Sequence, residues 1–242
     1  MSALTNWFAA IGSSFNSWLA TLHETFIVGQ RYNLIISGFG KTLVMTFGAL
    51  ILGVLIGSVV ATIKVFARTN KALKPLDVLC NIYLTIIRGT PVVVQLLISF
   101  FIIFVYAKDG TWVAVITFGV NSGAYVAEVI RSGIISIDIG QTEAGRSLGF
   151  SNLQTMWLIV FPQALKNILP AIGNEMIALL KETAVAGYVA VSDLTKSVNQ
   201  IKNTTYDQVN PILLVAIIYL AIVMIMTKLL SIMERRLRKN ER

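Results

Sequence analysis

Residues 143–170 read EAGRSLGFSNLQTMWLIVFPQALKNILP, a comparatively polar passage in the middle of an otherwise apolar chain. Glu143-Ala144-Gly145-Arg146-Ser147-Leu148 predicts a short helix stopped by Gly149. Phe150 then presents an apolar ring, Ser151 can cap a new helix, and Pro162 and Pro170 are expected to bend that helix further along. A polar helix with an apolar tip, held between two hydrophobic segments, suits docking to a soluble partner better than contact with lipid.

The chain around it is oily. Of 242 residues, 55% are hydrophobic and 13% charged, and the mean hydropathy is +0.74. Soluble domains carry about 25% charged residues, so the composition is that of a membrane protein. The net charge of +8 sits at the ends of apolar segments and not in one patch. That distribution excludes nucleic acid as the expected partner and points to membrane topology and lipid headgroups. Cys80 is the only cysteine and His23 the only histidine, so neither a disulfide nor a metal centre is expected, and no nucleophile–base pair suggests catalysis. The start, MSALTNWFAA, lacks the basic region and cleavage site of a signal peptide.

Residues 1–33 place Trp7, Ile11, Phe15, Trp18 and Leu22 on one face of an amphipathic helix lying at the membrane interface. A sixth span is the alternative for this segment. A first span runs from about Leu34 and is uncharged from Thr42 to Ile63, with Gly53 and Gly57 as a small-xxx-small step for close helix approach. Gly38-Phe39-Gly40-Lys41-Thr42 has part of a phosphate-loop pattern, but Ile35 stands where the first glycine is needed and no strand precedes it. ATP hydrolysis is therefore expected on another chain.

Lys64, Arg68, Lys71 and Lys74 form a basic loop before a second span, Leu76 to Ala107, which Gly89-Thr90-Pro91 interrupts. Arg88 and Gln95 flank that break. A third span, Thr111 to Ile137, carries Glu128 and Arg131 three apart, a pairing distance on a helix. A short fourth span is expected over Asn167 to Leu180, marked by Asn174 and Glu175, with Glu182 just beyond. The polar segment from Ser192 to Gln208 leads to a fifth span, Val209 to Thr227. With five spans and the C-terminus inside, thirteen Lys and Arg fall on the cytoplasmic side against six outside. The N-terminus is then outside and residues 143–170 begin in the cytoplasm.

In that position, Glu143-Ala144-Gly145, Gly149 and Ile159-x-Phe161-Pro162 resemble the EAA loop of ABC-importer membrane subunits, with the spacing kept throughout. Gly145 replaces the usual alanine and Phe161 the usual leucine. Gly40-Lys41-Thr42-Leu43, Arg88-Gly89-Thr90-Pro91, Ala124–Ile134, Phe161–Leu165 and Gly173–Thr183 look like the polar amino-acid permeases, so the resemblance covers about 38–236. It implies an all-α integral membrane protein with the five-transmembrane-helix core of a type I ABC-importer permease in a bacterial cytoplasmic membrane. It also implies a second permease subunit, like or unlike, two ATPase subunits holding ATP, an extracytoplasmic substrate-binding protein and an amino-acid substrate.

The chain divides into three regions: the amphipathic segment 1–33, a permease domain over 34–232 with a coupling loop at about 138–165, and a basic tail, 233–242. The coupling surface is expected at Glu143, Ala144, Gly145, Arg146, Ser147, Gly149 and Phe150. For a zwitterionic substrate, Arg88 suits the carboxylate and Glu175 the ammonium, with Thr90, Gln95, Asn174 and Glu182 in support. Structural pairing between helices is the competing reading of those groups. A secondary transporter or channel is the rival function, and would call for a pore-lining series of ionisable groups and an inverted repeat.

Overall fold

The computed structural model describes residues 13–68, 70–189 and 191–238, and no strand occurs among them. Trp7, Ile11 and the end of the basic tail lie outside the described residues. Residues 13–22 are helical, and Trp18 Nε1 donates to Asn210 Oδ1 at 3.0 Å. Thr25 Oγ1 donates to Asp207 Oδ2 at 2.9 Å, so the N-terminal segment is tied to the start of the last helix. Burial works against the Asp207 charge, but the donated hydrogen bonds of Asn210, Thr25 and Val209 hold its carboxyl below the usual range.

Helix α1 spans Tyr32–Phe66 and contains Gly38 and Gly40 in regular helix, so the glycine-lysine string there is not a phosphate loop. At 1.5 Å per residue α1 is about 52 Å long, more than the hydrocarbon thickness of about 30 Å. Helix α2, Lys74–Gly89, starts with proline in its first turn and ends at Thr90. Helix α3, Val92–Ile98, comes after Pro91 and runs into a π-type turn, Ser99–Ile103. The two arms, Lys71–Gly89 and Val92–Ile103, meet at 104°. Helix α4 spans Gly110–Ile135 and is capped by Asp109, which accepts the N–H of Thr111. That backbone donor draws the Asp109 carboxyl below its ordinary range.

Beyond α4 come α5, Ile139–Ser147, and α6, Asn152–Thr155. A π-type turn, Met156–Val160, leads into α7, Phe161–Glu182. The fourth apolar run is thus Asn152–Val189, much longer than the expected Asn167 to Leu180. Pro162 lies in the first turn of α7, directly after the π-type turn, and Pro170 sits inside α7 without ending it. Neither proline breaks the span. Helix α8, Leu194–Thr205, occupies the segment read as merely polar, and buries Leu194, Val198 and Ile201 along one face. Asp193 caps it through the N–H groups of Thr195 and Lys196; burial pushes its carboxyl up, and those donors oppose the rise. Helix α9 is Asn210–Arg238. Among the described residues, four helical runs are long and apolar enough to cross a membrane, and the bent α2–α3 pair, taken as one span, makes a fifth.

The bundle is built on α1 and α4. A Cβ on Gly53 would lie 2.8 Å from Ser122 Oγ, and one on Gly57 would lie 2.7 Å from Val126 Cγ1 and 2.9 Å from the Ala127 backbone nitrogen. The reciprocal glycines of α4 receive α1: Gly119 faces Leu52, and Gly123 faces Ile56 together with the Tyr83 hydroxyl of α2. The small-xxx-small step of the sequence therefore has its partner. Met45 and Ala49 of α1, Leu96 of α3, Phe118 of α4, Leu179 of α7 and Val189 form one buried cluster around it. Ile51, Leu55 and Val59, on the far face of α1, stay exposed. Tyr83 also donates to the Val120 carbonyl at 2.6 Å, which fastens α2 to the same helix.

Gly57→Ala and Gly40→Ala should move stability in opposite directions. Nothing surrounds a Cβ at Gly40, so alanine there gains helix propensity, up to about 1 kcal/mol. At Gly57 it overpacks a backbone contact, at a cost of about 1–3 kcal/mol. Denaturation midpoints of the two purified variants check this; shifts of the same sign would refute the seam.

Candidate functional site

Pro91 has no N–H, so the Ile87 carbonyl four residues earlier loses its helical donor. Gln95, one turn into α3, supplies a replacement. Its Nε2 lies 2.7 Å from the Ile87 carbonyl, 3.1 Å from that of Thr90 and 2.8 Å from Thr90 Oγ1. The Thr90 hydroxyl donates in turn to the Ile86 carbonyl at 2.9 Å. A sharp bend at membrane depth is tolerable only with such satisfaction of its backbone groups. Asn121 Nδ2 of α4 donates to Gln95 Oε1 at 3.1 Å, which fixes the orientation of the amide.

The next residue reaches the other way. Ser122 Oγ donates to Glu175 Oε1 of α7 at 2.8 Å. Tyr125, one turn further along α4, lies beneath the Arg88 guanidinium, 5.6 Å from ring centre to Cζ. Asn121, Ser122 and Tyr125 thus tie the break, the Arg88 end of α2 and α7 to a single helix. Arg88 and Glu175 do not form an ion pair with each other, whereas Lys64 pairs with Asp77 and Arg131 with Glu128. Asn174 turns its amide to the Pro170 carbonyl at 3.2 Å and remains exposed. Glu182 is half-buried and has no hydrogen-bond partner among the described residues. Asn121 and Ser122 escaped the sequence reading, although an adjacent Asn-Ser pair inside an apolar span is a usable signal.

The loop after α4 is held at both of its ends. Asp138 accepts the Gly140 N–H at 2.7 Å to start α5, four residues before the expected helix start. At the other end Leu148, Gly149 and Phe150 donate to the carbonyls of Ala144, Arg146 and Gly145, and Gly149 has φ +86°, a conformation that strongly favours glycine. Ser151 and Gln154 then form a capping box, as the sequence suggested for Ser151. Arg146 Nη1 donates to Asn152 Oδ1. Gly145 is buried, and an added Cβ there would lie 2.8 Å from Ile159 Cδ1 and 2.9 Å from Thr155 Cγ2.

The seven residues expected on the coupling surface therefore divide. Glu143, Ala144 and Ser147 are exposed on α5, whereas Gly145 faces inward and Arg146 is tied to Asn152. Leu148, absent from the expected surface, is 76% exposed against 36% for Phe150. A Leu one residue before a C-terminal glycine can be read as a staple or as a tip, and only the fold separates the two.

A helical bundle with a braced break in one span and a firmly capped polar loop between spans has the architecture of a multi-pass membrane protein. Residues 53–239 match the family described as the binding-protein-dependent transport system inner membrane component, and the chain belongs to that family. It is 35% identical over 210 residues to the arginine transport system permease protein ArtQ of Bacillus subtilis, covering 86% of this chain and 94% of that one. It is 38% identical over 206 residues to the putative glutamine transport system permease protein GlnP of Rickettsia typhi, covering 84% and 92%. A crystal structure of an amino acid ABC transporter with histidines superposes with a TM-score of 0.79 at 40% identity, over 87% of this chain and 98% of that one. An inward-facing MetNI methionine ABC transporter shares the fold, with TM-score 0.70 at 22% identity. The chain is thus an ABC-importer permease, and the rival secondary transporter is not favoured.

Gln95→Leu keeps the side-chain volume but leaves the Ile87 carbonyl without a donor. The expected cost is about 1–3 kcal/mol, read as a lowered denaturation midpoint with faster hydrogen exchange around residues 86–92. Unchanged exchange there would show that the amide does not brace the break.

Proposed function

We propose that this permease carries polar amino acids and that Glu175 receives the substrate ammonium group. The observation that carries the reading is Glu175 itself: a carboxylate inside an apolar span, held by one hydroxyl donor and by no cation among the described residues. Such a group is costly in a membrane, and is kept where it meets a ligand or a wet path. That the arginine and glutamine permeases and the amino acid transporter structure are similar to this chain supports the substrate class.

In this reading Arg88 offers a cation for the substrate carboxylate, and Glu182 and Asn174 add polar groups along α7. Thr90 and Gln95 act by keeping the break open and shaped. Leu148 and Phe150, with Glu143, Ala144 and Ser147, seat the loop in a cleft of a separate ATPase subunit, while Gly145, Arg146 and Gly149 keep the loop rigid. Two such ATPases bind ATP, and their closure rocks this permease against a second permease, like or unlike, as rigid bodies. An extracytoplasmic binding protein delivers the substrate. The N-terminus lies outside and the C-terminus in the cytoplasm, the orientation that the basic-residue asymmetry favours.

In proteoliposomes holding the assembled transporter, uptake of a radiolabelled amino acid should need ATP, and Glu175→Gln should lower it by about tenfold or more without loss of assembly. Unchanged uptake removes Glu175 from the path, and uptake driven by a proton or sodium gradient alone overturns the ATP coupling. In a Cys80→Ala background, Leu148→Cys should crosslink to the ATPase subunit at least as well as Phe150→Cys; crosslinking by neither rejects the docking surface.

A further inference from the structure

A cavity of about 500 Å³ opens between the ends of α1, α2 and α4, lined by Lys64, Arg68, Lys74, Asp77, Glu128 and Arg131 with Ala67 and Val78 between them. Both of its carboxylates are engaged by cations of the chain. Asp77 is paired with Lys64 at 3.2 Å, and Glu128 with Arg131 at 2.6 Å. Asn81 adds a further acceptor to Lys64 at 2.5 Å. Four cations meet two acids, and the surplus falls on Arg68 and Lys74. Both are exposed and neither has a partner among the described residues.

Depth selects the ligand. Lys64 ends the uncharged run Thr42–Ile63, which at 1.5 Å per residue covers about 33 Å, one hydrocarbon thickness. The cavity therefore sits where hydrocarbon gives way to headgroups. It lies at the end of α4 that carries the docking loop, since Arg131 is little more than one turn before Ile135. We propose that the cavity is a phosphate-anion site, filled from the leaflet on the docking-loop side by the headgroup of an anionic phospholipid. Arg68 presents its planar fork and Lys74 a mobile ammonium to the phosphate oxygens. The Lys64–Asp77 and Arg131–Glu128 pairs form the fixed walls, and Val78 meets the start of the acyl chains. A lipid seated there bridges α1, α2 and α4 next to the α4–α5 connection, independently of which substrate the permease carries.

The test uses the full chain purified in detergent, with native mass spectrometry counting retained phosphatidylglycerol and phosphatidylcholine. The wild type should retain phosphatidylglycerol in preference, and Arg68→Ala/Lys74→Ala should lose about thirtyfold of that preference. Lys71→Ala removes a neighbouring exposed charge that does not line the cavity, and should keep the preference. Folding of the double variant is checked by its denaturation midpoint in phosphatidylcholine, which should match the wild type because neither side chain has an internal partner among the described residues. No preference in the wild type, or one that survives the double substitution or disappears with Lys71→Ala, overturns the site. Equal thermal stabilisation by inorganic phosphate at matched ionic strength, lost in the same double variant, overturns the lipid as its source.

Discussion

The close approach of α1 to α4 is the contact on which the other elements rest. Lipid tails are as apolar as leucine, so burying hydrophobic surface gives helices in a bilayer little reason to associate. What remains is dense packing and polar contact. Gly53 and Gly57 on one side and Gly119 and Gly123 on the other let the two backbones come near enough for both. The same register puts Ser122 beside Gly53 and the Tyr83 hydroxyl beside Gly123. A larger side chain at these glycines would move α4 away from α1, and with it every group that α4 presents to α2, α3 and α7.

Those groups brace a sharply bent span. The bend at Pro91 exposes backbone oxygens where no water is assured, and the Gln95 amide meets them from inside the same broken span. Asn121 holds that amide, and Ser122 holds Glu175. Two consecutive residues of α4 thereby connect a broken span to a carboxylate on another helix. The chain has placed its least membrane-compatible groups around its most tightly packed helix, where their geometry is least free to drift.

The loop after α4 has the same economy. Between the Asp138 cap and the Ser151–Gln154 capping box, the backbone groups at the ends of α5 and α6 are met by neighbours in the loop. Gly145 lets α5 lie against Thr155 and Ile159, so the loop leans on the helix that continues as the fourth span. Leu148 therefore projects from a stiff unit and not from a hinge.

Much of this was legible in the residue order. Hydropathy and charge marked the spans, the glycine-proline string marked the break, and the spacing from Glu143 to Pro162 marked the loop, because each depends on neighbours in sequence. The Gly53–Gly57 step and the Glu128–Arg131 pair were equally readable from helical periodicity. Tertiary structure decided the rest. Gln95 reads as a ligand group until Pro91 is seen to leave the Ile87 carbonyl open, and Ser122 has no evident role until Glu175 arrives from 53 residues away. The residues from Ser192 to Gln208 look like a polar connection, yet they form a helix packed on Gly38 and Thr42. Sequence alone determined which groups cannot face lipid. Which partner each one meets depended on how closely the helices pack, and that distance is set across the bundle and not along the chain.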